Sequence, residues 1–226
     1  MIIELDSVEL NFNSRRILNG VYLKAETGTI VGILGRNGSG KSCLLQILFG
    51  SLQPKYKFIK LDGKPLLKPF YSQGNIVYLP QHELIPSQLK IKTLFSLLQL
   101  DWNEFVDYFE NFSQYYNSKM NSISGGERRV IETYAVLKQQ SDMVLLDEPF
   151  SNIAPLYVEK IKQLIIAEKS TKAIVITDHY YRDVIDICDT LYLLQNNCTK
   201  KITVLEELED YNYLNMDTLK TKKGGH

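Results

Sequence analysis

Eight consecutive residues, Gly35-Arg36-Asn37-Gly38-Ser39-Gly40-Lys41-Ser42, have the spacing of a phosphate-binding loop, G-x-x-x-x-G-K-[ST], at every fixed position. Gly35, Gly38 and Gly40 let the backbone curl around Asn37 and Ser39, so that N–H groups can converge on phosphate oxygens. Lys41 can then reach β- and γ-phosphates, and the Ser42 hydroxyl can meet Mg²⁺. Cys43 follows directly. It is either a reactive thiol beside the ligand or a small helix residue packed there.

Further polar residues fall where apolar runs stop. Met143-Val144-Leu145-Leu146 ends in Asp147 and Glu148, and Ala173-Ile174-Val175-Ile176 ends in Thr177-Asp178-His179. Ligands of open α/β sheets bind at the carboxyl ends of strands, so these acids and His179 sit at the ligand edge. One acid can hold a divalent cation while the next acts on water. Gln81 follows Pro80 at the end of a third run, where proline stops the ladder. Ser124-Gly125-Gly126-Glu127 precedes a helical pattern, and on these residues alone it is either an ordinary loop or a second helix N-terminus open to an anion. Phe12, in a turn between two strand patterns, either stacks on a base or closes a strand-end core.

These groups need a scaffold of alternating strands and helices. Residues 2–10 and 16–24 read as strands, and residues 29–34 lead into the glycine loop. Residues 43–49 read as the helix behind it, stopped by Gly50 and a turn through Pro54. Residues 58–61 with Asp62-Gly63 suggest a strand entering a hairpin turn, and 75–79 and 191–194 are further strands. Residues 91–116 are expected to be helical, with Trp102, Phe105, Phe109 and Phe112 on one face. That face is the core of a small helical subdomain, or in part a groove for a partner helix. Val130, Tyr134 and Leu137 mark one face of the next helix, and residues 155–169 form an amphipathic one. The tail, residues 220–226, is polar and expected to be loose. Strand–glycine loop–helix is the context the phosphate motif requires.

Composition sets limits. The chain has 226 residues, 44% of them hydrophobic, enough for one domain with a small subdomain. Lys plus Arg and Asp plus Glu both number 26, so nothing suggests bulk binding to nucleic acid, and no nucleic-acid partner is expected. Three cysteines, Cys43, Cys188 and Cys198, lack metal-type spacing and suit a reducing compartment. No signal-peptide pattern opens the sequence and no run of 18 apolar residues spans a membrane, so any membrane part is expected on another chain.

Taken together, these motifs resemble those of an ABC-type ATPase, the nucleotide-binding subunit of an ATP-binding-cassette transporter. The resemblance runs along nearly the whole chain in the family's order. Gly35 to Ser42 matches the Walker A motif, Gln81 the Q-loop glutamine, and Ser124-Gly125-Gly126-Glu127 the family signature, with Ile123 for the usual leucine. Asp147 and Glu148 match the Walker B aspartate and catalytic glutamate, His179 the switch histidine, and Phe12 the adenine-stacking aromatic. A finer likeness, to the ATPase of lipopolysaccharide-export systems, lies in Tyr78-Leu79-Pro80-Gln81, Gly125-Gly126-Glu127-Arg128-Arg129, Leu146-Asp147-Glu148-Pro149-Phe150 and Thr177-Asp178-His179. Two departures stand out. Ala154 replaces the aspartate that usually follows Ser151-Asn152-Ile153, and Cys43 replaces a threonine or serine.

The resemblance implies an α/β P-loop NTPase fold with a mixed, mainly parallel sheet and an N-terminal antiparallel β-subdomain. One ABC ATPase domain would span residues 1–226, with a core of 1–82 and 140–226 and a helical, signature-bearing subdomain of 83–139. It implies ATP and Mg²⁺ as ligands, with the metal held by Ser42, Gln81 and Asp147. Lys41, Gln81, Glu148 and His179 would serve catalysis, and residues 124–127 would act on the ATP held by a second copy. That second copy implies a head-to-tail homodimer or heterodimer. The expected partner is an integral-membrane permease on a separate chain, met at the cytoplasmic face of the membrane. A soluble non-transport ABC ATPase and a weakly active regulatory subunit are the alternatives.

Overall fold

Two β-sheets organise the chain, and a computed structural model describes residues 1–73, 75–216 and 218. The first sheet is antiparallel, in the order β2-β1-β4-β5, built from β1 (Ile2–Phe12), β2 (Arg15–Glu26), β4 (Tyr56–Leu61) and the short β5 (Lys64–Pro65). The second has six strands: β10 (Cys198–Ile202), β9 (Thr190–Gln195), β3 (Ile30–Leu34), β8 (Ala173–Thr177), β7 (Met143–Asp147) and β6 (Ile76–Leu79), in that order. All its pairings are parallel except β10 with β9.

The continuous apolar runs are explained by burial on both faces. Every residue of β3, β7 and β8 is buried. Val31, Leu145 and Val175 face a core shared with α1 (Lys41–Phe49) and the antiparallel sheet. Ile30, Leu146 and Ile176 face the other side, against α4 (Gly125–Lys138), α5 (Pro155–Glu168) and α6 (Tyr181–Ile187). The sheet is thus clamped between two layers, and its carboxyl edge presents Leu34, Leu79, Asp147 and Thr177 toward one side of the molecule.

Residues 91–116 are not one helix. They break into α2 (Ile91–Leu97), α3 (Trp102–Tyr108) and a 3₁₀ segment, Glu110–Tyr115. Gln99 takes a left-handed φ of 54°, which ends α2, and the Asp101 carboxylate caps α3 by accepting from Asn103 N–H at 2.8 Å. The aromatic face is core. Phe105, Phe109 and Phe112 are fully buried, and the Phe105 ring lies 4.9 Å from Tyr134 of α4 and 5.1 Å from Phe109. Each such ring contributes about 1.5–3 kcal/mol by burial, which decides against a groove at these three positions.

The β9–β10 hairpin was not expected from the sequence. Asn196 and Asn197 turn it with φ of 51° and 67°, the double left-handed geometry of a two-residue hairpin, for which asparagine is suited. A last short helix, α7 (Glu207–Asp210), follows. Residues 220–226 lie outside the described residues. Among the described residues, no helix is long and apolar enough to cross a membrane.

Candidate nucleotide site

The glycine loop joins β3 to α1 and closes on itself. The Lys41 ammonium donates to the Gly35 carbonyl at 2.8 Å and to the Arg36 carbonyl at 3.4 Å. Gly38 and Gly40 have φ of 77° and 104°, and a Cβ on Gly40 would lie 3.0 Å from both Ile17 and Leu18. Glycine is therefore required at 40 by backbone and neighbours together. Among the described residues, the N–H groups of Lys41, Ser42 and Cys43 find no carbonyl acceptor, as at any helix start, and the first bonded N–H is that of Leu44. Ser39 Oγ is buried without a hydrogen-bond partner among the described residues. Converging donors and an orphaned hydroxyl fit a polyanion. Burial pushes the Lys41 ammonium below the usual lysine range, opposed by Glu148, Asp147 and Asp178.

The acidic strand end is tightly built. Asp147, which is buried, accepts from Thr177 Oγ1 at 2.8 Å and from the Tyr78 hydroxyl at 3.1 Å, one donor per carboxylate oxygen. The parallel register pairs Asp147 with Thr177, which places the hydroxyl beside the acid. Glu148 begins the turn with a left-handed φ of 56°. For a non-glycine residue this costs about 1–2 kcal/mol. Its N–H donates to the Thr177 carbonyl at 2.7 Å, and its carbonyl accepts from Arg129 at 3.1 Å. The strained backbone is thus fastened from both sides.

Three side chains meet the Glu148 carboxylate. Gln81 Nε2 donates to Oε2 at 2.9 Å, Ser151 Oγ to the same oxygen at 3.3 Å, and His179 Nδ1 stands 3.6 Å away. His179 also lies 3.4 Å from Ser151 Oγ, and its ring rests 4.1 Å from that of Tyr180. Asp178 beside it points inward and accepts from the N–H groups of Phe150 and Tyr180 at 2.9 and 3.0 Å. Burial raises its carboxyl pKa, and those two bonds oppose the rise.

A cleft of about 550 Å³ unites these parts. Asn37, Gly38, Gly40, Lys41, Ser42 and Cys43 line one side, and Gln81, Glu148 and His179 the other. Phe12 lines the far end, 49% exposed at the tip of the β1–β2 hairpin, which removes the strand-end core reading. Arg15 and Ile17 join it there. Sequence reasoning missed both, because their placement depends on the hairpin folding over the loop. Gly35, Ser39 and Asp147 are not among its lining residues. Burial, with the Asp147 charge, raises the Cys43 thiol, so it stays protonated and acts as a small wall residue. Ser42, Gln81 and Asp147 offer hydroxyl, amide and carboxylate oxygens, hard donors of the kind that take Mg²⁺ together with phosphate.

The signature residues do not line this cleft. Ser124 caps α4 in a reciprocal box: its N–H and hydroxyl both donate to Glu127 Oε2, at 2.9 and 2.7 Å, and Glu127 N–H donates back at 3.2 Å. The Tyr115 hydroxyl donates to Glu127 Oε1 at 2.9 Å. Burial works against the Glu127 charge, but these donors prevail and hold its carboxyl below the usual range. Glu127 therefore serves its own helix. Gly125 faces open space, whereas a Cβ on Gly126 would fall 2.4 Å from the Asn152 carbonyl oxygen. Ala154 is the N-cap residue of α5 and supplies no capping side chain. Tyr78, Thr177 and Arg129 were also missed as site residues. Alternation could have put Tyr78 and Thr177 at strand ends, but only the pairing shows what they hold.

The family model described as ABC transporter matches residues 18–151. The chain is 31% identical over 216 residues to the lipopolysaccharide export system ATP-binding protein LptB of Escherichia coli (strain K12), covering 88% of this chain and 89% of that one. It is 29% identical over 209 residues to the LptB protein of Haemophilus influenzae, covering 85% and 86%. With the ABC transporter ATP-binding protein YtrB of Bacillus subtilis (strain 168) it shares 28% identity over 217 residues, covering 92% and 74%. Among solved structures, an ATP-binding subunit of an ABC transporter superposes with a TM-score of 0.80 at 19% identity, over 98% of this chain and 97% of that one. A nucleotide-free ATP-binding cassette does so with 0.77 at 20% identity, over 95% and 96%. These two establish likeness of fold.

Proposed function

The chain belongs to the ABC transporter family as an ATP-binding, ATP-hydrolysing subunit, and we propose that it powers a separate membrane-embedded permease by closing and opening a head-to-tail dimer around ATP. In this reading residues 83–139 form a helical subdomain on a core of 1–82 and 140–226, docked at the cytoplasmic face of a membrane. The single observation that carries the reading is one cleft that sets Lys41 and the loop amides against Gln81, Glu148 and His179.

Phosphoryl transfer asks a protein chiefly for positioning and charge stabilisation. The N–H groups of Lys41, Ser42 and Cys43, free among the described residues, and the Lys41 ammonium bind the β- and γ-phosphates. Phe12 stacks on the adenine, with Arg15 and Ile17 beside it. Ser42, Asp147 and Gln81 would hold Mg²⁺, which would supply positive charge to neutralise the phosphates. The Glu148 carboxylate accepts a hydrogen bond from the attacking water and draws on its proton. His179 contacts the γ-phosphate and, with Ser151, keeps Glu148 in place. Ser124 and the N-terminal amides of α4 meet the γ-phosphate bound by the partner copy, so ATP favours the closed dimer.

The test is phosphate release by the purified full chain, alone and with co-purified membrane partners, with and without Mg²⁺. Mg²⁺-dependent turnover that changes on adding the membrane partner is expected. Turnover absent from both would leave the regulatory alternative, to which Ala154 lends its only support.

A further inference from the structure

Arg129 is a buried cation for which the mechanism above has no use, yet its guanidinium touches carbonyls at the ends of both β6 and β7. Nη1 donates to the Pro80 carbonyl at 2.7 Å, immediately before Gln81. Nη2 donates to the Glu148 carbonyl at 3.1 Å and also to the Asp147 carbonyl. Its charge faces Glu132, whose Oε2 lies 3.8 Å from Nη1 and whose Oε1 also accepts from Arg128 Nε at 3.2 Å. Glu132 in turn accepts from Leu84 N–H and Ile85 N–H at 3.0 and 3.1 Å. The first two turns of α4 therefore grip the segment that carries Gln81, and the same helix reaches the carbonyls of both Walker B acids.

We propose that Arg129 is the positioning residue that ties the signature helix to the hydrolytic glutamate: by fixing the Asp147 and Glu148 carbonyls it holds the left-handed turn that aims the Glu148 carboxylate, and it carries movement of α4 to that turn. The inference rests on the functional reading above. Ser124 and Arg129 stand on one helix only five residues apart, so an anion drawn to the α4 N-terminus shifts the guanidinium with it. Three carbonyls on two strand ends match a planar fork of donors, which an ammonium cannot reproduce. Arg129→Lys keeps the charge opposite Glu132 and most of the stem, and loses the fork.

The experiment compares the full chain with its Arg129→Lys and Arg129→Gln variants in ATP affinity, thermal midpoint and steady-state ATPase kinetics. The expected result for Arg129→Lys is nucleotide affinity within about threefold of wild type and KM little changed, with kcat reduced about 10- to 100-fold, the scale of a small misplacement of a reacting group. A kcat within about twofold of wild type, or a loss confined to KM or nucleotide affinity, overturns the proposal. Where neither variant folds, side-chain ¹⁵N NMR of the Arg129 guanidinium in the Glu148→Gln protein decides. Hindered Nη resonances that shift when ATP is added support the proposal, and freely rotating ones indifferent to ATP overturn it. Absence of ATP turnover in the wild-type chain itself would instead remove the functional reading, and this inference with it.

Discussion

The Gln81 side-chain amide donates to Oε2 of Glu148 across 2.9 Å, joining residues 67 positions apart in the chain. The amide comes from the end of β6 and the carboxylate from the end of β7, neighbours in the parallel sheet. A movement of the segment after β6 is therefore felt at the Glu148 carboxylate. Glu148→Gln keeps an acceptor for Gln81 and removes the carboxylate proposed as the base. We expect it to bind ATP within about threefold of wild type and to lose turnover by about 10²–10⁴-fold, the range for general-base removal. Phosphate release and fluorescent-nucleotide titration measure the two; a wild-type rate would dismiss the role of Glu148.

Phe12 is half exposed at a hairpin tip, so shortening it should spare the fold. Phe12→Ala is expected to weaken ATP binding by up to about tenfold, the equivalent of one aromatic stacking contact. The thermal midpoint should stay unchanged, and Phe12→Tyr should restore affinity. A fall in midpoint with unaltered affinity would return Phe12 to a packing role.

The two glycines of the signature should answer differently to the same change. Gly126→Ala drives a Cβ into the backbone of Asn152 and should destabilise the fold by about 1–3 kcal/mol. Gly125→Ala meets nothing and should leave stability intact while obstructing a nucleotide carried by the partner copy. Denaturant unfolding tests the first. Size-exclusion chromatography of ATP-bound Glu148→Gln protein tests the second; a full yield of dimer with Gly125→Ala would mean that this face receives no nucleotide.

Ala154 leaves α5 without a side-chain cap. Ala154→Asp places an acceptor at a residue already extended, with φ of −64° and ψ of 142°, and should stabilise the fold by about 1 kcal/mol. If the missing aspartate loosens coupling between the two sites, the Hill coefficient for ATP should also rise. A higher thermal midpoint with unchanged cooperativity would assign this position to capping alone.

The sequence by itself determined the chemistry and the scaffold's alternation. Fixed spacing declared the glycine loop, and apolar runs ending in Asp147-Glu148 and Thr177-Asp178-His179 declared buried strands with polar ends, because both signals are local and written in consecutive residues. Tertiary structure decided what pairs with what. It set Thr177 beside Asp147 through a parallel register, brought Arg15 and Ile17 over the loop by folding a hairpin, and cut residues 91–116 into short pieces so that Phe105 could pack on both Phe112 and Tyr134. It also gave Arg129 three carbonyls from two strands. Such facts depend on contacts between residues distant in the chain, and periodicity carries no information about a side chain's partner across a sheet.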